Sequence, residues 1–289
     1  LAAGRWAARL AAYEEAIAHL ERGLALLEGV PASGERLRLE LALCLTLGTP
    51  AMLQRGWQAP LYTRALERLS DLLEHPDLQD DPQRLAGLGV LALSTNWSAD
   101  PARGQRVGEQ LLELARSEAP STALRTGPSA SLRTSPGQAH SQGSGQGQDG
   151  KRQAAMLGHW ALGLSYWLQG ELVAAREHLG RAVDLFDMEA NRSLGGLLGG
   201  DPSVMAQAML GSVQWQLGYP EQGRASFGRA VALAQALEQP ASTAFAHFIA
   251  AIVTAVVGRD IAAALGHARA LRELGQASLV YGEWAESLE

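Results

Sequence analysis

The side chains able to do chemistry in this sequence are few and poorly grouped. Seven histidines are spread along it, at His19, His75, His140, His159, His178, His247 and His267. A transition-metal site needs nitrogen and carboxylate ligands at short helical or loop spacings. None of the seven has a second histidine at such a spacing with a carboxylate, so the spacing predicts no metal site. His159 and His247 stand at comparable early positions of their helices, which predicts packing roles. Cys44, the single cysteine, lies in the apolar run 41–47 without a cationic neighbour to lower its pKa, so it is expected to be a small buried residue and not a nucleophile. The acidic pairs Glu14-Glu15 and Asp80-Asp81 fall at a helix start and in a loop, where they complement a helix dipole. Gly145-Gln146-Gly147-Gln148-Asp149-Gly150-Lys151 has the glycine and lysine spacing of a phosphate-binding loop. Arg152 stands where a Ser or Thr must reach Mg²⁺, and no strand precedes it, so nucleotide binding is not expected there. No catalytic, cofactor-binding or metal-ligating residue is expected.

What must position any site is a helical frame. The chain has 289 residues, 47% of them hydrophobic and only 6% aromatic, enough apolar surface to fold around a substantial core. Leu and Ala dominate, and alternating β-branched runs are almost missing, which argues for packed helices over sheet. The net charge is −6 with both signs interspersed. No basic stripe can track phosphates, so direct nucleic-acid binding is not expected. One cysteine forms no internal disulfide, and no apolar run approaches the roughly 18–20 residues that cross a bilayer. A cytoplasmic location without membrane contact is therefore expected. Asn96-Trp97-Ser98 and Asn191-Arg192-Ser193 fit a glycosylation pattern, but no secretory signal accompanies them. Helical patterns already run at Leu1 and still run at Glu289, as in a piece of a larger protein.

Internal repetition carries the architecture. The segment 155–187 reads as two amphipathic helices around a turn at Gln169-Gly170-Glu171, and 203–237 reads the same way around Gly218-Tyr219-Pro220. Superposing the turns aligns Leu162-Gly163 with Leu210-Gly211, Leu179 with Phe227 and Ala182 with Ala230. A weaker third copy spans 243–274 around Gly258-Arg259-Asp260, with Ala263, His267 and Ala270 in its second helix. Upstream, a turn near Ala11-Ala12 precedes an amphipathic helix. Two more pairs follow, at 35–73 hinged near Arg55-Gly56-Trp57 and at 82–115 hinged near Ser98-Ala99-Asp100-Pro101. Asp81-Pro82 and Asp201-Pro202 are helix-start signals.

Two stretches interrupt the pattern. From 119 to 150 the aromatics vanish and Ser, Gly, Pro, Gln and Thr take over, a composition that does not repay the entropy of ordering and predicts a disordered insertion. Leu124-Arg125-Thr126 recurs as Leu132-Arg133-Thr134 inside it, and Ser135-Pro136 has the form of a phosphosite, with low-complexity drift the simpler account. The glycine-rich stretch 188–200 predicts a loop over one face. The expected domains are thus helix pairs over 1–118, the insertion over 119–150 and helix pairs over 151–289.

Leu162-Gly163, Tyr166, Ala175, Leu179 and Ala182 resemble the tetratricopeptide repeat. That resemblance implies an all-α, right-handed solenoid of antiparallel helix pairs. The match is degenerate: Gly170 and Gly218 lie 48 residues apart and Gly218 and Gly258 lie 40 apart, against a family period of about 34. The stretches 13–27, Arg55-Gly56-Trp57-Gln58-Ala59-Pro60, Asp201-Pro202 and Leu217-Gly218-Tyr219-Pro220 are similar to the C-terminal repeat region of large bacterial signalling ATPases, often joined to adenylate or guanylate cyclase or Ser/Thr kinase domains. In such proteins the repeats act as a sensor arm, as in maltotriose-responsive transcription activators. The resemblance implies a regulatory region that binds a protein, peptide or small signalling ligand and controls an attached module. A free-standing docking scaffold is the alternative. No ATPase, cyclase or other catalytic motif is present in the chain itself.

The first helices of such pairs line a concave face, where ligands are usually held. Carried onto this chain, the resemblance places Trp160, Leu164 and Trp167, then Ser212, Trp215 and Gln216, then Phe245, Phe248 and Ile252 on that face. Groove lining and packing between repeats stand as alternatives for these residues, because aromatics at helical spacing commonly fill cores.

Overall fold

The computed structural model describes residues 1–10, 12–56, 58–98, 100–117, 139–187 and 200–275, with the side chains of 9, 95–98 and 139–147 left aside. Among the described residues it holds twelve α-helices, one short 3-10 turn and no strand. The chain is all-α, as its composition and periodicity predict. Its contacts divide it into two compact units, Leu1–Trp97 and Ser98–Glu289.

The first unit contains α1 (Ala2–Arg9), α2 (Tyr13–Glu28), α3 (Gly34–Arg55), α4 (Pro60–Glu74), a 3-10 turn at Pro76–Leu78 and α5 (Arg84–Ser98). Its centre is α3, which packs on α2 and α4. The apolar run 41–47 of α3 is buried almost throughout. Ser33 starts this helix by accepting the Arg36 backbone N–H at 3.2 Å, the side-chain cap that replaces a missing intrahelical partner. Gly56, at φ +85°, ends it. Small residues set the spacing of the layers: a Cβ on Gly4 would stand 2.6 Å from the Leu20 side chain, and one on Gly23 would stand 2.9 Å from Leu43. At the polar edge, Arg55 bonds Glu14 at 2.7 Å and Arg68 bonds the mostly buried Glu40 at 2.6 Å.

The second unit contains α6 (Pro101–Arg116), α7 (Ala139–Leu168), α8 (Leu172–Asp184), α9 (Pro202–Gln216), α10 (Pro220–Ala236), α11 (Pro240–Val256) and α12 (Ile261–Gly275). Each helix packs on the next, and α9 also touches α7 and α11. The unit boundary lies ahead of the expected break at 118, because α6 packs extensively on α7 across it. Gly108 and Gly158 make that crossing possible, since a Cβ on either would come within 3.1 Å of the other's carbonyl oxygen. The expected insertion over 119–150 lies outside the described residues up to 138. The stretch 139–150 is helical backbone continuous with α7. Extending a helix that is already packed costs far less than nucleating one, which offsets the poor helix propensity of the glycines there. The loop expected over 188–200 lies outside the described residues except for Gly200, which is buried.

The repeated turns have a common construction. After α7, Gly170 takes φ +80° and the Glu171 N–H donates to the Tyr166 carbonyl at 2.9 Å. After α9, Gly218 takes φ +88° and Tyr219 donates to Gln214 at 2.9 Å. Both are Schellman caps, which close the last carbonyls of a helix through one left-handed residue. The superposition of these two pairs holds in three dimensions: Gly163 faces Leu179, and Gly211 faces Phe227 in the same way.

The third pair differs by one residue. Its left-handed position is Arg259, at φ +51°, and not Gly258. Gly258 is small for another reason, since a Cβ there would stand 2.5 Å from the Trp215 ring. Counted from Arg259, the buried face of α12, Ala264, Ala268 and Leu271, stands where Ala175, Leu179 and Ala182 stand in α8 counted from Gly170. The expected Ala263, His267 and Ala270 sit one position off that face and are only partly buried.

Candidate functional site

The nine residues assigned to a concave face fall into two groups. Trp160, Leu164, Ser212, Trp215 and Phe245 are buried. Trp215 stacks on Phe227 with ring centroids 6.3 Å apart and joins a core cluster with Ala250 and Val253, while Arg224 covers it at 4.8 Å. These five fill the space between helices, so the structure gives them the packing role of the two alternatives. For Trp215 the physical reason is the pair of glycines it lies over, Gly223 and Gly258, where a Cβ would stand 3.1 and 2.5 Å from its ring. Trp167, Phe248 and Ile252 are partly open and Gln216 is exposed. The Gln216 amide donates to the Ser212 hydroxyl at 3.0 Å, which holds it along the helix. Of the nine, Trp167, Gln216, Phe248 and Ile252 thus keep accessible surface, and Phe248 also packs against the Ala244 and Leu271 cluster between α11 and α12.

The structure brings together polar groups that sequence spacing keeps apart. His159 of α7 and His178 of α8 meet across the pair with their Nδ1 atoms 3.0 Å apart. His247 of α11 and His267 of α12 meet the same way, also at 3.0 Å. Tyr166 lies beside His178, with ring centroids 5.4 Å apart. Burial pushes His159 down to about 4, aided by the charge His178 would carry, and it pushes His247 down to about 4 with the same help from His267. His178 and His267 are lowered as well, chiefly by burial. All four imidazoles are therefore neutral at pH 7.

These pairs escape a search for short ligand spacings because their members lie 19 and 20 residues apart, on opposite sides of a turn. The signal was present in the repeat register. Each first histidine precedes the small residue of its first helix by one helical turn (Gly163, Ala251), and each second one directly precedes the large or small residue that packs there (Leu179, Ala268). The middle pair carries Gln207 and Ser226 in those places.

A buried carboxylate stands at the start of α9. Asp201 accepts the Ser203 backbone N–H at 2.9 Å and the Ser203 hydroxyl, while its own N–H donates to the Ser242 hydroxyl at 2.8 Å. Burial raises its pKa, and the Ser203 hydrogen bonds oppose the shift. This is the predicted cap, and its tie to α11 makes it an architectural residue. Cys44 is buried and its thiol is pushed up to about 11, first by burial and then by Glu40. It is a thiol at neutral pH and a poor nucleophile.

Among the described residues no three His, Cys, Asp or Glu side chains converge, and no helix is long and apolar enough to cross a membrane. No known family profile matches the chain, and no curated protein matches it.

Proposed function

We propose that this chain is a tetratricopeptide-like right-handed solenoid whose work is binding, as the regulatory or sensor region of a larger cytoplasmic signalling protein. The observation that supports the reading is the repetition of one helix-pair unit in α7/α8, α9/α10 and α11/α12, with matching glycine-to-side-chain contacts in the first two. Units of this kind bury their apolar faces only against neighbours and leave the first helices along one side free to hold a peptide, a protein segment or a small signalling ligand. On this chain α9 is buried from Pro202 to Trp215, so that surface is confined to Trp167, Gln216 and Ile252 toward the C-terminal ends of α7, α9 and α11. Ligand held there would shift the equilibrium of an attached ATPase, nucleotide cyclase or kinase module through differential affinity for its two states. Catalysis belongs to that module.

Two measurements test the reading. Peptides selected from a random display library on the purified chain should lose binding in Trp167→Ala and Gln216→Ala while the thermal midpoint stays within a few degrees. Selection of no peptide whose binding depends on these residues would count against the groove. Sequencing the open reading frame on both sides should reveal an ATPase, cyclase or kinase module. A start codon immediately upstream and a stop immediately downstream would favour a free-standing docking scaffold.

A further inference from the structure

The two histidine pairs are the least expected feature of the second unit, and they recur at one register of the fold. In α7/α8 and again in α11/α12, an imidazole from the first helix and one from the second face each other through Nδ1 at 3.0 Å. Ring planes are tilted alike, by 46° and 50°, with centroids 5.1 and 5.2 Å apart. A single such pair is an ordinary hydrogen bond between a donor and an acceptor nitrogen. The same distance, tilt and register twice in one chain indicates a constructed feature.

We propose that each histidine pair is a bidentate clamp for a borderline divalent transition ion of the Zn²⁺ type, giving two sites per chain. Two imidazole nitrogens bound to one tetrahedral ion at Zn–N of about 2.05 Å stand about 3.3 Å apart. The observed separation needs an opening of only a few tenths of an ångström. All four histidines are only partly buried, so the remaining positions fall to water or a side chain of a bound partner, as in metal sites with open coordination. The neutral state of the rings at pH 7 leaves lone pairs for the ion without a proton having to be expelled. One hydrogen must move: the imidazole that donates through Nδ1 changes to its Nε2–H tautomer, which frees both Nδ1 lone pairs and leaves the proton count unchanged.

The surroundings of the two sites differ. His178 has Glu177 and Arg181 near it, and His159 also feels Arg181 and Arg116. Among the described residues, His267 is the one charged influence on His247. The middle pair, with Gln207 and Ser226, is not a site, because neither an amide nor a hydroxyl is a good ligand for such ions.

The test is a calorimetric titration of the chelator-treated chain with Zn²⁺, using Mg²⁺ as control. Two Zn²⁺ should bind with micromolar affinity and Mg²⁺ should not bind. His178→Gln and His267→Gln should each leave one site, and the double variant none, with helical circular dichroism unchanged. X-ray absorption on the Zn²⁺-loaded wild-type chain should count two imidazole nitrogens per ion, a readout that needs no variant to fold. Absence of Zn²⁺ uptake overturns the proposal. So do undiminished uptake in the folded double variant and an absorption count below two imidazoles, either of which would place the ion on exposed histidines such as His19 or His75. Neither result bears on the peptide surface, which involves different residues.

Discussion

Trp215 shows how a single side chain changes meaning between sequence and structure. On a helix wheel it is a candidate for ligand contact; in the fold it wedges between α10 and α11, stacked on Phe227 and pressed against Gly258. Trp215→Ala should cost about 3–5 kcal/mol, the range for emptying a large aromatic site. Denaturant unfolding checks this, and a loss below 1 kcal/mol would return the residue to the surface. The histidine pairs supply a pH dependence at the same scale. Their folded pKa values lie below the unfolded value near 6.5, at about 4 for His159 and His247. The unfolded chain then binds more protons below pH 6.5. Their stabilisation is complete above about pH 6.5 and is lost as pH falls from there toward about 4. Urea midpoints at pH 7.5 and 5 should differ in the wild-type chain and differ less in the variant lacking His178 and His267. Equal pH sensitivity in both proteins would remove the histidines from the explanation.

At the scale of the element, the turns and the small residues decide how helices meet. Glu238 and Arg259 both occupy left-handed backbone, at φ +54° and +51°. For an L-residue this costs roughly 1–2 kcal/mol, against roughly 0.5–1 kcal/mol of added unfolded-chain entropy for glycine. Glu238→Gly should therefore raise the thermal midpoint by a few degrees, as differential scanning calorimetry would show; a fall would mean that the Glu238 side chain has a role of its own. Gly211→Ala should act in the opposite sense. Its Cβ would meet the Phe227 ring at 2.8 Å and the Gly223 carbonyl at 3.0 Å. Backbone on one side cannot yield as a flexible side chain can, so α9 and α10 must separate, at a cost of about 1–3 kcal/mol.

At the scale of the molecule, helices pack mainly on their neighbours in the chain, and the contacts fall into two units. Such an arrangement unfolds in parts, because each element's stability comes from nearest-neighbour interfaces. The calorimetric enthalpy of unfolding should exceed the van't Hoff enthalpy of the full chain; equal values would show one cooperative transition. Burial within the second unit also bears on binding. With five of nine candidate side chains committed to the seam, any ligand there meets a narrow strip and not a broad aromatic floor.

Sequence alone determined the all-α class, many of the helix ends and the pairing of the second unit's helices. These depend on local quantities: apolar spacing of 3.6, glycine at a left-handed cap, Asp or Ser ahead of a first turn. It also showed that Gly163 and Gly211 are equivalent, since a glycine facing a large residue repeats with the turn. Only the tertiary structure decided which way Trp160, Trp215 and Phe245 face, because both faces of α9 and α11 are apolar and the wheel has no polar side to exclude. It decided the one-residue shift of the third pair's second helix in the repeat register, because the left-handed residue there is Arg259 and not the glycine. It also joined His159 to His178 and His247 to His267, contacts made through space by helices that turn back on themselves, at separations no ligand-spacing rule spans.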